Sequence, residues 1–501
     1  EEAMAENSGN GRPVSSVSVV EYSRPSFLNF LDRAQWGYAL FDAGCWGYAS
    51  VTISTLAPII FVRRVRESTP GSTSGEGMMP MGASSLISNA GKVLSFDPRN
   101  LTEIEEVEEE VMSSLKLGDA SGSWVFMVAI STLIAGILCP ILGALADRYS
   151  ARKLITYTTS ALSIVFLTMF AFESRSSDAR EILLVIGIAM TLTSIMHCFY
   201  NSLIMFLSGR EDMVKVACFQ CFIGNVGSAI LMVALGMSDM EKRELSRDYI
   251  IFCFVVSAIW FVLLAIPMWI WLKEEDDDTY LAGTSLADSL VLSWKETLIT
   301  LQNIEMMKFL VGLMLFNDAN STLHAVYLVY GAQIGLPVHA LVLGAVFYKV
   351  LGAVAALAWL GLAQYAEAKI CFMACIVLTI ISIIMCAWMT NVADFFFVII
   401  SMTTAGSGAF IFSKVLMGSL TPKEKASHNF GFMGMMNRVA GFFGPLLFAT
   451  LTFAYDEKAG FIGLVVMAIA GLFVLSYVDF EKGLQYAEGY HYSHEEEEKV
   501  V

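Results

Sequence analysis

A chain of 501 residues that is 56% hydrophobic and only 16% charged is too apolar for a water-soluble globule and suits a lipid bilayer. Its formal net charge of −16 is concentrated in residues 97–119, in Glu274–Asp278 and in Glu495–Glu498, so it describes acidic loops and tails. No basic surface suggests a nucleic-acid partner, and the nine cysteines lie in or beside apolar runs. Cys218 and Cys221 form a CxxC without a second pair or a nearby His, which reads as packing; neither a metal nor a cofactor is expected.

Residues 1–35 read as a cytosolic N-terminal tail, with FLNFLDR (27–33) suited to a short helix on the membrane surface. Apolar segments follow at roughly 36–62, 124–146, 154–172, 182–207, 216–237 and 249–272. After a polar interval come 307–333, 338–365, 369–390, 393–418, 428–454 and 459–478. Each exceeds the ~17 residues that span the hydrocarbon. The pattern predicts an all-α membrane protein with twelve transmembrane helices in two six-helix halves, 36–272 and 307–478. A cytosolic linker, 273–306, joins them, and an acidic cytosolic tail, 479–501, closes the chain. Leu286, Leu290, Trp294, Leu298 and Leu301 recur at near-helical spacing and predict an amphipathic helix under the bundle. The loop 63–123 is Gly/Ser/Met-rich over 67–91, where disorder is expected. It also carries the triplet Asn100-Leu101-Thr102, a glycosylation candidate usable only in a lumen.

Lys and Arg in the short loops set the orientation. With the N-terminus in the cytosol, cytosolic connections hold twelve, Lys215, Lys414 and Lys425 among them, against six in the short opposite loops. Both termini are therefore expected in the cytosol.

Between the second and third segments runs LGALADRYSARKL, residues 142–154. Gly143 permits close helix packing. Asp147 ends one helix, and Arg148, Arg152 and Lys153 open the next, so acid and base can pair and hold one state of a moving bundle. The stretch resembles the signature between helices 2 and 3 of the major facilitator superfamily, with Ser150 where that family has Gly. The bland alternative is a charged loop obeying the positive-inside rule.

Further stretches narrow the resemblance: Trp36 to Asp42, Phe199-Tyr200-Asn201-Ser202, FLVGLMLFNDANSTLHAVYLVYGAQIG from Phe309, and SKVLMGSLTPKEKASHNFGFMGMMNRVAGFFGPLLF from Ser413. Together they resemble the vacuole effluxers, the autophagy-related amino acid exporters of that superfamily. The resemblance implies a transporter that moves amino acids out of a vacuolar or lysosomal lumen.

Ionisable groups inside a bilayer are costly and are functional candidates by default. Leu40-Phe41-Asp42-Ala43-Gly44 and Leu315 to Asn320 form a faint repeat between the first and seventh segments. Asp42 and Asp318 are candidates for a proton or a substrate ammonium; the alternative for each is helix packing. Asn317 and Asn320 flank Asp318 and suit a zwitterion. Arg438 suits a substrate carboxylate through its fork of donors, or an ion pair or snorkelling side chain. Lys349 poses the same choice. His197, His324, Asn201, Asn225 and Asn437 fit interhelical packing equally well.

The sequence holds no P-loop, HExxH, GxSxG or dinucleotide fingerprint. A non-enzymatic secondary transporter is expected, with a small-molecule substrate, the bilayer as its surroundings, proton coupling as a candidate energy source, and a monomer as the working unit. The rivals are an exporter of another organic solute, such as a sugar or a lipid-like molecule, and a non-transporting receptor or scaffold.

Overall fold

The structure, a computed structural model, describes residues 31–57, 120–172, 179–210, 212–236, 247–273 and 303–498. Asn100, the rest of its loop over 58–119 and the linker positions 274–302 with their amphipathic pattern lie outside these residues, as does most of the 27–33 stretch. All regular structure among the described residues is helical.

The first half comprises α1 (Arg33–Val51), α2 (Ala120–Arg148), α3 (Arg152–Phe172), α4 (Ala179–Ser202), α5 (Met213–Ala234) and α6 (Arg247–Trp271). The second comprises α7 (Ile304–Gln333), α8 (Val338–Leu362), α9 (Ala368–Ala387), α10 (Val392–Ser419), α11 (Ala426–Ala454) and α12 (Glu457–Ser476). A further helix, α13 (Phe480–Glu498), follows. Local chemistry sets several ends. Asp32 and Gln35 form a capping box at the start of α1. Asn391 caps α10, and Asp456 caps α12. Gly236 and Gly335, at φ 65° and 83°, follow the ends of α5 and α7. Five residues after α1, Thr52–Leu56, are wound as a π-helix.

Nine helices among the described residues are long and apolar enough to cross a membrane. The bundle helices outside that set are α1, α7 and α11. These are the helices that carry Asp42, Asn317, Asp318, Asn320 and Arg438. Their polar residues lower the hydropathy because they face protein. Large apolar side chains such as Leu133, Ile270, Val466 and Phe473 face outward and are more than half exposed, as a lipid-facing belt requires.

The packing has an internal repeat. α1 lies against α5 and α6, and α7 lies against α11 and α12. Between the halves α2 packs on α11, and α5 packs on α8 and α10. Small residues permit the α2–α11 contact. A side chain at Gly143 would come within 2.5 Å of Ser427 O, and one at Gly431 within 2.6 Å of Cys139 O. The contact extends to Gly136, which faces Arg438; one turn beyond, Gly441 meets nothing within 4 Å. The halves are therefore sealed at the end that carries the Asp147 turn.

One expectation needs correction. Lys414, counted among loop lysines, sits inside α10 and is 2% exposed. It belongs to the interior because a buried acceptor reaches it, as described below. The acidic tail from 479 is helical over Phe480–Glu498, and its first turns pack against the bundle. Phe480 meets the ring of Phe309 edge-on, Ala487 is buried, and the backbone N–H of Asp479 donates to Glu305 Oε2 at 2.8 Å. Arg210, from the first half, pairs with Glu488 at 2.9 Å.

Candidate functional site

The sealed end is built around Asp147. Its Oδ1 accepts from Arg152 Nε at 2.9 Å and from the Ser427 backbone N–H at 2.9 Å; its Oδ2 accepts from the His428 N–H at 2.7 Å. Ser427 and His428 lie in the first turn of α11, where unsatisfied N–H groups and the positive end of the helix dipole favour an anion. One carboxylate of the first half thus caps a helix of the second. Arg152 Nε also reaches Ser427 Oγ at 3.1 Å, and its guanidinium lies 4.2 Å from the centroid of the Phe206 ring. Lys153 does different work: its ammonium donates to Trp269 O and Leu272 O at 2.7 and 2.6 Å and closes the end of α6. Arg148 is the last residue of α2. Ser150 takes the left-handed conformation, φ 45°, which is why a glycine suits that position.

Deeper in the bundle, Asp42 of α1 is 1% exposed and accepts from Gln220 Nε2 at 3.2 Å. Gln220 Oε1 in turn accepts from Lys414 Nζ at 2.9 Å, and that ammonium lies 3.2 Å from the centroid of the Phe410 ring. A carboxylate of the first half and an ammonium of the second are therefore linked through one neutral amide across the interface. Gly224, one turn from Gln220, makes room: a Cβ there would fall 2.4 Å from Asp42 Oδ2. Around the cluster, Tyr200 stacks on Tyr38 and Phe41, and Trp46 lies against His197 and Phe410.

Asp318 of α7 has a different setting. It is 2% exposed, and among the described residues its Oδ1 has no hydrogen-bond partner. It faces Gly444 of α11, where a Cβ would fall 2.7 Å from Oδ1. Thr322 and Ser321 donate to its backbone carbonyl rather than to its carboxylate. Asn317 donates to Asn437 Oδ1 of α11 at 2.9 Å, and Asn320 Oδ1 is buried without a partner among the described residues. Arg438 donates from Nη2 to Ser194 O of α4 at 2.9 Å and from Nη1 to Gly434 O at 3.4 Å, so its fork braces α11 against the other half.

The candidates thus fall into three groups: Asp147 with Arg152 at the seal, Asp42 with Gln220 and Lys414, and Asn317, Asp318 and Arg438 along α7 and α11. The sequence reading missed Gln220, Lys414, Ser427 and His428. A Gln in the middle of an apolar run was the available signal for the first. Lys414 lies five residues before the end of its helix, a position that reads as topology. Among the described residues no three His, Cys, Asp or Glu converge as metal ligands.

The family described as "Vacuole effluxer Atg22 like" matches residues 206–488, more than half of the chain. The chain belongs to this family. A curated relative, the "Uncharacterized MFS-type transporter YxiO" of Bacillus subtilis (strain 168), is 23% identical over 367 residues, covering 71% of this chain and 84% of its own length. The fold is that of the major facilitator superfamily. The human organic anion transporter MFSD10 superposes with a TM-score of 0.60 at 12% identity over 89% of this chain and 100% of its own. The proton:xylose symporter XylE gives 0.61 at 12% identity over 89% and 95%. The Atg22-like match begins at Phe206 and so takes in α5, α7, α10 and α11, the helices that hold Gln220, Asp318, Lys414 and Arg438.

Proposed function

We propose that this Atg22-like chain is a secondary active transporter that exports amino acids from a vacuole- or lysosome-like lumen to the cytosol by alternating access. The observation that carries the reading is the pairing of a seal between the halves at one end with buried charges at mid-bundle. Asp147 grips α11 across the interface, and Asp42, Gln220 and Lys414 join the same two halves deeper in. Opening at the seal would break the first set and strain the second, as a rocking bundle needs. The excess of basic residues in the short loops on that side supports a cytosolic Asp147 end and cytosolic termini, and on that reading the sealed state faces the lumen.

Asp318 is the candidate for a coupled proton. It lies beside Asn317 and Asn320, and among the described residues no side chain donates to its Oδ1. Asp318→Asn is then expected to lose uphill transport driven by a pH gradient while retaining exchange of labelled for unlabelled substrate, since exchange moves no net proton.

Purified protein in liposomes, screened against amino acids, sugars and nucleosides with and without a pH gradient, tests the reading. Amino acid flux supports it. Flux of sugars or nucleosides alone replaces the substrate class, and absence of any flux supports a receptor or scaffold. Protease access to terminal tags in intact organelles tests the orientation; a protected C-terminus would overturn it.

A further inference from the structure

Three mid-bundle cations, Lys349, Lys414 and Arg438, stand against two carboxylates, Asp42 and Asp318. Lys414 is linked to Asp42 through Gln220, and Arg438 is engaged by two carbonyls. Lys349 of α8 is left. Among the described residues no acceptor lies within hydrogen-bond distance of its ammonium and no carboxylate lies within ion-pair distance. The ammonium instead sits 5.2 Å from the centroid of the Trp46 ring, on the opposite half, and 6.0 Å from that of Tyr348. Asp42 is within electrostatic reach. Its carboxylate, however, is already held by Gln220. Lys349, Trp46 and Tyr348 are partly accessible, whereas Asp42 and Lys414 are sealed in. A desolvated cation over aromatic faces recovers only part of what an ammonium loses on leaving water. The site is short of one anion, and the accessible side of the shortage is at Lys349.

We propose that Lys349 anchors the carboxylate of the solute this protein carries. Trp46 and Tyr348 hold the ammonium in place, so that the bound anion bridges α8 of one half and α1 of the other. Only the word "carries" depends on the transporter reading; the binding site does not. Helix 8 supplies the point charge, which accepts a carboxylate from several angles as the solute turns.

The test measures thermal stability of the full-length protein in detergent with leucine, lysine and lactate, each beside its amide. At least one acid is expected to raise the melting midpoint while its amide does not. Lys349→Met is expected to abolish that rise, and Lys349→Arg to retain it. Without ligand, Lys349→Met is expected to melt no lower than wild type, because it removes a charge that lacks a partner. In flux measurements Lys349→Met should raise KM about tenfold or more, the loss expected for one charge-assisted contact, with a smaller change in kcat. Equal shifts with acids and amides, no shift with any acid, or a Lys349→Met protein that melts well below wild type would each overturn the assignment. Lys349-dependent binding of an acid that never crosses a vesicle would sink the transport reading and leave this one standing. Flux with an unchanged KM in Lys349→Met would do the reverse.

Discussion

The two halves put a carboxylate in the same place and treat it differently. Asp42 of α1 lies against Gly224 of α5; Asp318 of α7 lies against Gly444 of α11. In each half the first helix of six presses an acid onto a glycine of the fifth. One turn before Gly224 stands Gln220, which holds the acid and passes the link to Lys414. One turn before Gly444 stands Ala440, which has no donor. Asp42 is thereby linked to the second half through Gln220, and Asp318 Oδ1 has no hydrogen-bond partner among the described residues. A shared backbone arrangement yields one acid held through a neighbouring amide and one whose Oδ1 has no hydrogen-bond partner among the described residues.

Neutralising each acid breaks the comparison most sharply. Asp42→Asn strands the Lys414 ammonium without its counter-charge and should cost about 3 kcal/mol or more, read as a fall in melting midpoint. Lys414→Met in the same background should recover most of it, because the pair leaves together. Asp318→Asn, which removes an unpartnered oxygen's charge, should stay within about 1 kcal/mol of wild type. Equal losses at both positions would show that the acids are held alike.

The seal ranks next. Asp147 satisfies two N–H groups of α11 and the Arg152 guanidinium, and Asp147→Asn weakens all three charge-assisted contacts while keeping the side chain's shape. The loss should be about 2 kcal/mol, and it falls on the sealed state rather than on the fold. Cys139 of α2 and Cys198 of α4, both buried against α11, are native reporters. Maleimide labelling of these thiols should accelerate several-fold in Asp147→Asn at normal abundance. Unchanged labelling and transport kinetics would reduce Asp147 to a topology signal.

Much of this was legible in the chain and part of it was not. Long apolar runs gave the halves, and LGALADRYSARKL marked the turn, because hydropathy and charge at helix ends are local properties. The partner of Asp147 was hidden: Ser427 and His428 act through backbone N–H groups, which every residue possesses, 280 residues away. Lys414 was misplaced because a lysine near a helix end looks like a loop lysine until Gln220 is brought opposite. The packed tail helix had a faint signature, Phe480, Gly483 and Ala487 recurring on one face, among charges that drew attention to solvent.

The glycines offer a milder comparison. Gly224→Ala would push a methyl against Asp42 Oδ2, and Gly444→Ala against Thr322 Oγ1, each at 2.4 Å. Both should lower stability by about 1–2 kcal/mol, since neither packed helix can retreat without loss. If Asp318 alone carries the coupled proton, as proposed, only the Gly444 variant should also shift the pH dependence of transport. Matching pH profiles in the two variants would count against that division.

The smallest effect lies in the turns. The first half joins α2 to α3 through residues 149–151, with Ser150 at φ 45°; the second joins α8 to α9 through the longer stretch 363–367, where Ala363 is right-handed at φ −64°. A non-glycine residue in the left-handed region costs about 1 kcal/mol or slightly more. Ser150→Gly relieves that cost but gives the unfolded chain more freedom, which opposes it by about 0.5–1 kcal/mol. The difference favours glycine by a few tenths of a kcal/mol, a rise in melting midpoint of about 1 °C. Ser150→Val removes no strain and adds a branched Cβ, so it should melt lower and label Cys139 faster, because the turn sets where Asp147 and Arg152 meet α11. A valine variant that matched wild type in both measurements would show that the seal tolerates a displaced turn.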